Sequence, residues 1–181
     1  KVLSLKEFIL DFIESKKDLI GDEQVAVDTI KAYENWNKVL LEFEKNRFTL
    51  SYESINSTFY KKYITFLKSR YVVNTIGKHI KHLKTVMTAS LVLGYHSNLK
   101  YKAFKKPVDK KKDVPYLNKQ QLQDLADMEL TGKDASARDY FLLMSYTGMR
   151  KTDMSHLTNE NIIVYKGVRM ISFHESKVKT D

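Results

Sequence analysis

The string Tyr146-Thr147-Gly148-Met149-Arg150, followed by Asp153 and Leu157, holds the residue types and spacing best suited to chemistry. A glycine that ends a helix accepts left-handed backbone and turns the chain. An arginine just past it can aim a planar, permanently charged fork of donors at a phosphate. Taken alone, Thr-Gly-Met-Arg also fits a helix stop followed by a surface arginine, so its surroundings decide between the two. Further cationic groups lie on both sides of it. Lys78, Lys81, His82 and Thr85 recur at helical spacing on one face, and Lys177 and Lys179 stand two apart near Thr180. His79 and His82 share a helix but have no carboxylate nearby, so no metal site is expected.

The elements that must position these groups are legible from caps and periodicity. Ser4-x-x-Glu7 is a capping box that opens a helix with apolar positions 5, 8, 9, 12 and 13, ended by Gly21. A second helix runs from Val25 to Asn46, with Ile30, Tyr33, Leu40 and Phe43 on one face and Trp36 at its edge. The aromatic-rich stretch from Ser57 to Ser69 predicts a third. The fourth starts at the caps Asn74 and Thr75 and runs to Gly94, burying Ile76, Ile80, Leu83 and Met87. Both prolines, Pro107 and Pro115, fall in or beside a lysine-rich stretch that reads as a linker. Beyond it, Asn118-x-x-Gln121 caps a helix containing Leu122, Leu125 and Met128, and Ser136-x-x-Asp139 opens another. A short helix carries Arg150 to Leu157. Two β-prone runs, 162–164 and 168–173, joined at Lys166-Gly167, predict a hairpin.

Composition bounds the partners. The 181 residues carry a formal net charge of +9. Residues 100–115 concentrate it, with seven lysines (100, 102, 105, 106, 110, 111 and 112) against Asp109 and Asp113. A polyanion is the expected partner, and nucleic acid fits better than a membrane surface, since no helix pairs a wide apolar face with a dense lysine face. The absence of cysteine removes disulfides, thiol catalysis and thiolate metal sites. Glu7, Asp11 and Glu14 interrupt the first apolar run, which excludes a signal peptide or membrane span there and leaves a cytoplasmic protein as the expectation.

The order of parts resembles the tyrosine recombinases, most closely the integrases of bacterial conjugative transposons and related mobile elements. A basic helical region precedes a lysine linker, two helices, Thr147-Gly148-Met149-Arg150, and a hairpin that ends in Lys177-Val178-Lys179-Thr180. Tyr33, Asn74-Thr75, Ala89, Gly94, Tyr116-Leu117-Asn118 and Ala137-Arg138-Asp139-Tyr140-Phe141 also match that family's recurring pattern. The resemblance implies a mainly α chain: a four-helix, SAM-like core-binding domain at 1–104, a linker at 105–115, and at 116–181 the first part of a mixed α+β catalytic domain ending in a β-hairpin. It implies that Arg150 binds the scissile phosphate and Asp153 supports it from behind. A hairpin lysine, Lys179 by alignment with Lys177 as the alternative, protonates the departing 5′ oxygen.

The chemistry so implied is consistent with the residues. A tyrosine attacking a phosphodiester builds negative charge on the phosphoryl oxygens, and fixed cationic donors that strengthen as it develops lower the barrier. A 3′-phosphotyrosine keeps the bond energy, so no ATP and no cofactor are expected. The same resemblance puts the Lys78, Lys81, His82, Thr85 face and linker lysines Lys105, Lys106, Lys110, Lys111 and Lys112 against duplex DNA, with tetramers on paired sites and accessory DNA-bending proteins as further partners. Family members continue past the hairpin with a His-x-x-Arg segment and the nucleophilic tyrosine. The 181 residues alone are therefore expected to bind DNA without cleaving it. A regulator using the same fold without chemistry is the alternative.

Overall fold

The computed structural model describes residues 2–18, 27–45, 48–109 and 114–173, and the chain divides into two compact units, 1–111 and 112–181.

In the first unit, α1 (Leu5–Lys17) opens on the capping box read from the sequence: the Ser4 hydroxyl accepts from the Glu7 amide while the Glu7 carboxylate accepts from the Ser4 amide. It closes at Asp18, ahead of Gly21, which lies outside the described residues. α2 (Val27–Lys45) and α3 (Ser57–Lys68) follow, the latter capped by the Asn56 side-chain oxygen Oδ1 accepting from the Thr58 and Phe59 amides. α4 (Val73–Val92) begins one residue before Asn74, with Val72 in the cap position and no side-chain cap. The Asn74 side chain is used elsewhere, as shown below. At its other end the Gly94 amide bonds to the Leu91 carbonyl and the Tyr95 amide to the Ser90 carbonyl, with Gly94 at φ +76°. This is the paired-bond helix stop that favours glycine.

One continuous apolar core joins these helices. Leu5, Phe8 and Ile9 of α1, Tyr33, Trp36 and Leu40 of α2, Phe59, Tyr63 and Leu67 of α3, and Ile76, Ile80, Leu83, Val86 and Met87 of α4 are buried in it. Trp36 is only 1% exposed, and so stands inside the core and not at the edge of its helix. Rings meet edge-on or tilted around Phe43, which lies 5.1 Å to 5.6 Å from Phe48, Phe59, Tyr63 and Phe66, an arrangement that suits the ring quadrupoles. A 3-10 turn at Lys100–Ala103 brings Tyr101 and Phe104 into the same core.

In the second unit, α5 (Lys119–Ala126) has the expected Asn118–Gln121 capping box, but ends before Met128. α6 (Gly132–Thr147) starts a turn earlier than Ser136, with Thr131 at the cap; the Ser136 hydroxyl instead donates back to the Gly132 carbonyl. α7 (Lys151–Met154) is a single turn with Arg150 at its cap. The strands β1 (Ile162–Tyr165) and β2 (Val168–Ile171) pair antiparallel, with Tyr165 opposite Val168. Lys166 at φ +48° and Gly167 at +78° form the two-residue turn whose twist matches the strands. Burial is sparse here: among the described residues Met149, Asp153 and Met154 are buried, whereas Tyr140, Phe141, Tyr146 and the apolar strand residues are exposed.

The first unit is thus organised around α4. Truncating Leu83, fully buried at its centre, to alanine is expected to lower the unfolding free energy by ~2–5 kcal/mol, measured by urea unfolding followed through Trp36 fluorescence. A loss below about 1 kcal/mol would show that the core is not built on this contact.

Candidate nucleic-acid interface

The exposed face of α4 is narrower than its sequence pattern suggests. Lys78 and Lys81 are exposed, as read. His82 is different: its ring packs 4.3 Å from Tyr33 and 6.2 Å from Trp36, closing the seam between α2 and α4. Burial pushes its pKa down to about 4, helped by His79, Lys81 and Lys78 nearby. Thr85 is half-buried and donates to the Lys81 carbonyl. The four residues therefore split: two lysines face solvent, His82 packs against α2, and Thr85 is half-buried and bonded to its own helix. His79 is buried, its Nδ1 3.3 Å from the Tyr63 hydroxyl, and burial lowers its pKa as well. Among the described residues no group of three histidine, cysteine or acidic side chains could hold a metal ion.

A cavity of about 180 Å³ opens on this seam, with Trp36, His79 and His82 among its lining residues and Asn35, Thr75 and Lys78 around them. Its lining thus combines aromatic rings with the exposed residue Lys78.

Of the linker lysines, Lys105 and Lys106 are exposed on residues that remain attached to the first unit, whereas Lys110, Lys111 and Lys112 lie outside the described residues. The Tyr60 hydroxyl donates to the Lys105 carbonyl (2.8 Å), and the Asp109 amide donates to the Asn74 side-chain oxygen (3.0 Å). Sequence reading finds the lysines but not this attachment, because its signals are single polar side chains on α3 and α4.

In the second unit, α6 ends at Gly148 in the left-handed region (φ +71°, ψ 8°), with its amide on the Met144 carbonyl. The Thr147 hydroxyl donates to the Leu143 carbonyl and accepts from the Met149 amide, tightening the turn. Met149 is then buried and Arg150 is extended (φ −74°, ψ 151°) at the start of α7. The Arg150 side chain is 46% exposed, and its Nη1 lies 3.8 Å from Oδ2 of Asp153, whose side chain is 2% exposed. One guanidinium is thus presented to solvent with a buried carboxylate behind it, one helical turn away. Lys177 and Lys179 lie outside the described residues.

The comparisons with known proteins bear on the first unit. A family profile described as the phage integrase SAM-like domain matches residues 4–108. Neither the curated proteins nor the solved structures give a match.

The two depressed histidines make a pH prediction. A ring that resists protonation in the fold but takes a proton freely when unfolded stabilises the fold above the unfolded pKa, near 6.5, and loses that contribution as pH falls towards about 4. The urea midpoint of the chain should therefore decline between pH 6.5 and 4, and His82→Phe should flatten the decline. An unchanged profile in that variant would remove His82 from the cause.

Proposed function

We infer the function from the premise that this chain belongs to the phage integrase SAM-like domain family. It is a tyrosine-recombinase-type DNA-binding region, and its work is to hold duplex DNA. The observation that carries this reading is the coincidence of the family match, which ends at residue 108, with the lysine-bearing segment held on α4. Lys78, Lys81, Lys105 and Lys106 supply phosphate contacts that give affinity without choosing sequence. Lys110, Lys111 and Lys112, which follow in the sequence, are further candidates for contact with the backbone of the duplex. His82 acts on the DNA-facing helix by fixing it to α2.

The second unit carries the chemical half of the proposal. Arg150 binds the scissile phosphate of a recombinase that cuts and rejoins DNA through a 3′-phosphotyrosine, for integration, excision or inversion in a mobile element such as a conjugative transposon. The guanidinium at the end of a left-handed turn, held from behind by Asp153, supports that role, since donors fixed before charge develops are worth more than mobile ones. Lys179 protonates the leaving 5′ oxygen, a step that contributes roughly 10²–10⁴-fold. The nucleophile of such a recombinase is a tyrosine, and the enzyme assembles as a tetramer on paired sites.

Binding of the chain to duplex DNA is expected to weaken steeply with salt, and a salt-independent affinity would refute phosphate recognition. In the complete recombinase, Arg150→Ala should abolish cleavage while leaving binding largely intact; cleavage at the parental rate would take Arg150 out of the mechanism. Lys179→Ala should slow cleavage of an ordinary phosphodiester but spare a substrate with a 5′-thio leaving group, which departs without a proton. Equal slowing of both would exclude proton donation by Lys179.

A further inference from the structure

One line of α4 touches the returning chain at nearly every turn. Asn74, Gly77, Lys81, Lys84 and Thr88 succeed one another at spacings of three and four, so they form a single ridge along the helix. The segment 101–109 runs back along that ridge in the opposite direction. The Tyr101 and Thr88 hydroxyls are 3.1 Å apart. The Lys84 ammonium donates to the carbonyls of Lys102 (2.8 Å) and Phe104 (3.2 Å). At Gly77 the approach is so close that a Cβ would stand 2.3 Å from the Pro107 carbonyl oxygen and 3.3 Å from the Lys106 side chain. The Asp109 amide closes the far end on Asn74. Tyr60 of α3 adds its bond to the Lys105 carbonyl from the other side.

Apart from the anchors Tyr101 and Phe104 and the partly buried ring of Tyr60, these contacts have no role in the apolar core, whose α4 residues lie on other faces. What they fix is a strap. Along it Lys102, Lys105 and Lys106 are exposed, and the exposed Lys81 sits on the same ridge between the Lys84 and Gly77 contacts. A row of ammonium groups whose backbones are already held loses less freedom on meeting a phosphate row than the same lysines on a free linker.

We propose that Gly77 and Lys84 are positioning residues: the missing side chain of one and the ammonium of the other hold the strap 101–109 along α4, so that Lys102, Lys105 and Lys106 join Lys81 in one pre-formed phosphate-binding row. The inference rests on the duplex-DNA reading above. In it Lys84 donates to carbonyls of the strap, and Gly77 leaves room for Pro107 to cross the helix.

The test is a salt titration of duplex-DNA binding by the whole chain and by Gly77→Ala, Lys84→Met, Lys84→Arg, the double variant Lys105→Ala/Lys106→Ala, and the double variant in the Gly77→Ala and Lys84→Met backgrounds. Two phosphate contacts are worth about 1.8 in the slope of log affinity against log salt. The double variant should lose that amount. Gly77→Ala, which removes no charge, should lose a comparable part of it, and adding the double variant on top should change little. Lys84→Arg, which keeps donors for both carbonyls, should behave like the parent.

Full additivity of the double variant with Gly77→Ala and with Lys84→Met would overturn the strap as a positioning device, because each lysine would then act independently of its seat. Helical circular dichroism identifies a variant that has lost its fold; should that befall Gly77→Ala, the Lys84→Met and Lys84→Arg pair decides by the same additivity criterion. A parent chain whose binding ignores salt would instead refute the duplex-DNA reading itself, an outcome distinct from a salt-sensitive parent with additive variants.

Discussion

Burial of Ile76, Ile80, Leu83, Val86 and Met87 along one side of α4 is the contact on which the first unit depends, because α1, α2, α3 and the 3-10 turn at Lys100–Ala103 all pack against this helix. Apolar surface removed from water is the main favourable term for such a domain, and here it is gathered on one rod. The remaining circumference of α4 is divided between a seam closed by His79 and His82, a solvent-facing strip with Lys78, and a ridge occupied by the strap. A helix packed on all sides but one strip has a fixed rotation about its own axis. Whatever its lysines meet, they meet in one orientation.

The second unit obeys a different constraint. Its local geometry is sharp, with a capping box on α5, a left-handed stop on α6 and a primed turn in the hairpin, yet it buries few side chains among the described residues. Backbone hydrogen bonds and turn chemistry shape it, whereas apolar packing shapes the first unit. Arg150 and Asp153 sit where those local rules are strongest, two and five residues past Gly148 and within one turn of helix of each other.

Legibility in the sequence followed the same division. Caps formed by a hydroxyl or amide reaching three residues on, as at Ser4–Glu7 and Asn118–Gln121, were readable because the interaction is contained in four consecutive residues. The hairpin turn at Lys166-Gly167 was readable for the same reason. Asn74 misled because its side chain answers a residue far along the chain, Asp109, and not its own helix. Ser136 misled because a serine inside a helix can bond its own backbone and imitate a cap. His82 looked like part of a wet face since its spacing matches Lys78 and Lys81; only the position of Tyr33 on another helix turns it inward. Trp36 likewise needed α3 and α4 in place before it became core. In the candidate site, the Gly148–Arg150–Asp153 arrangement was legible from spacing, while the anchoring of the linker lysines was not, because it depends on contacts between segments distant in sequence.

Gly77 has a consequence for how this sequence can change over generations. The space that a methyl group would need there is already filled by the backbone of Pro107, not by a side chain that could swing away. No single replacement at 77 is therefore neutral unless the segment around 106–107 is rerouted at the same time, and the two stretches are bound to drift as a pair. Descendants of this chain that carry any other residue at 77 should differ from it in the length or path of the run that follows Phe104.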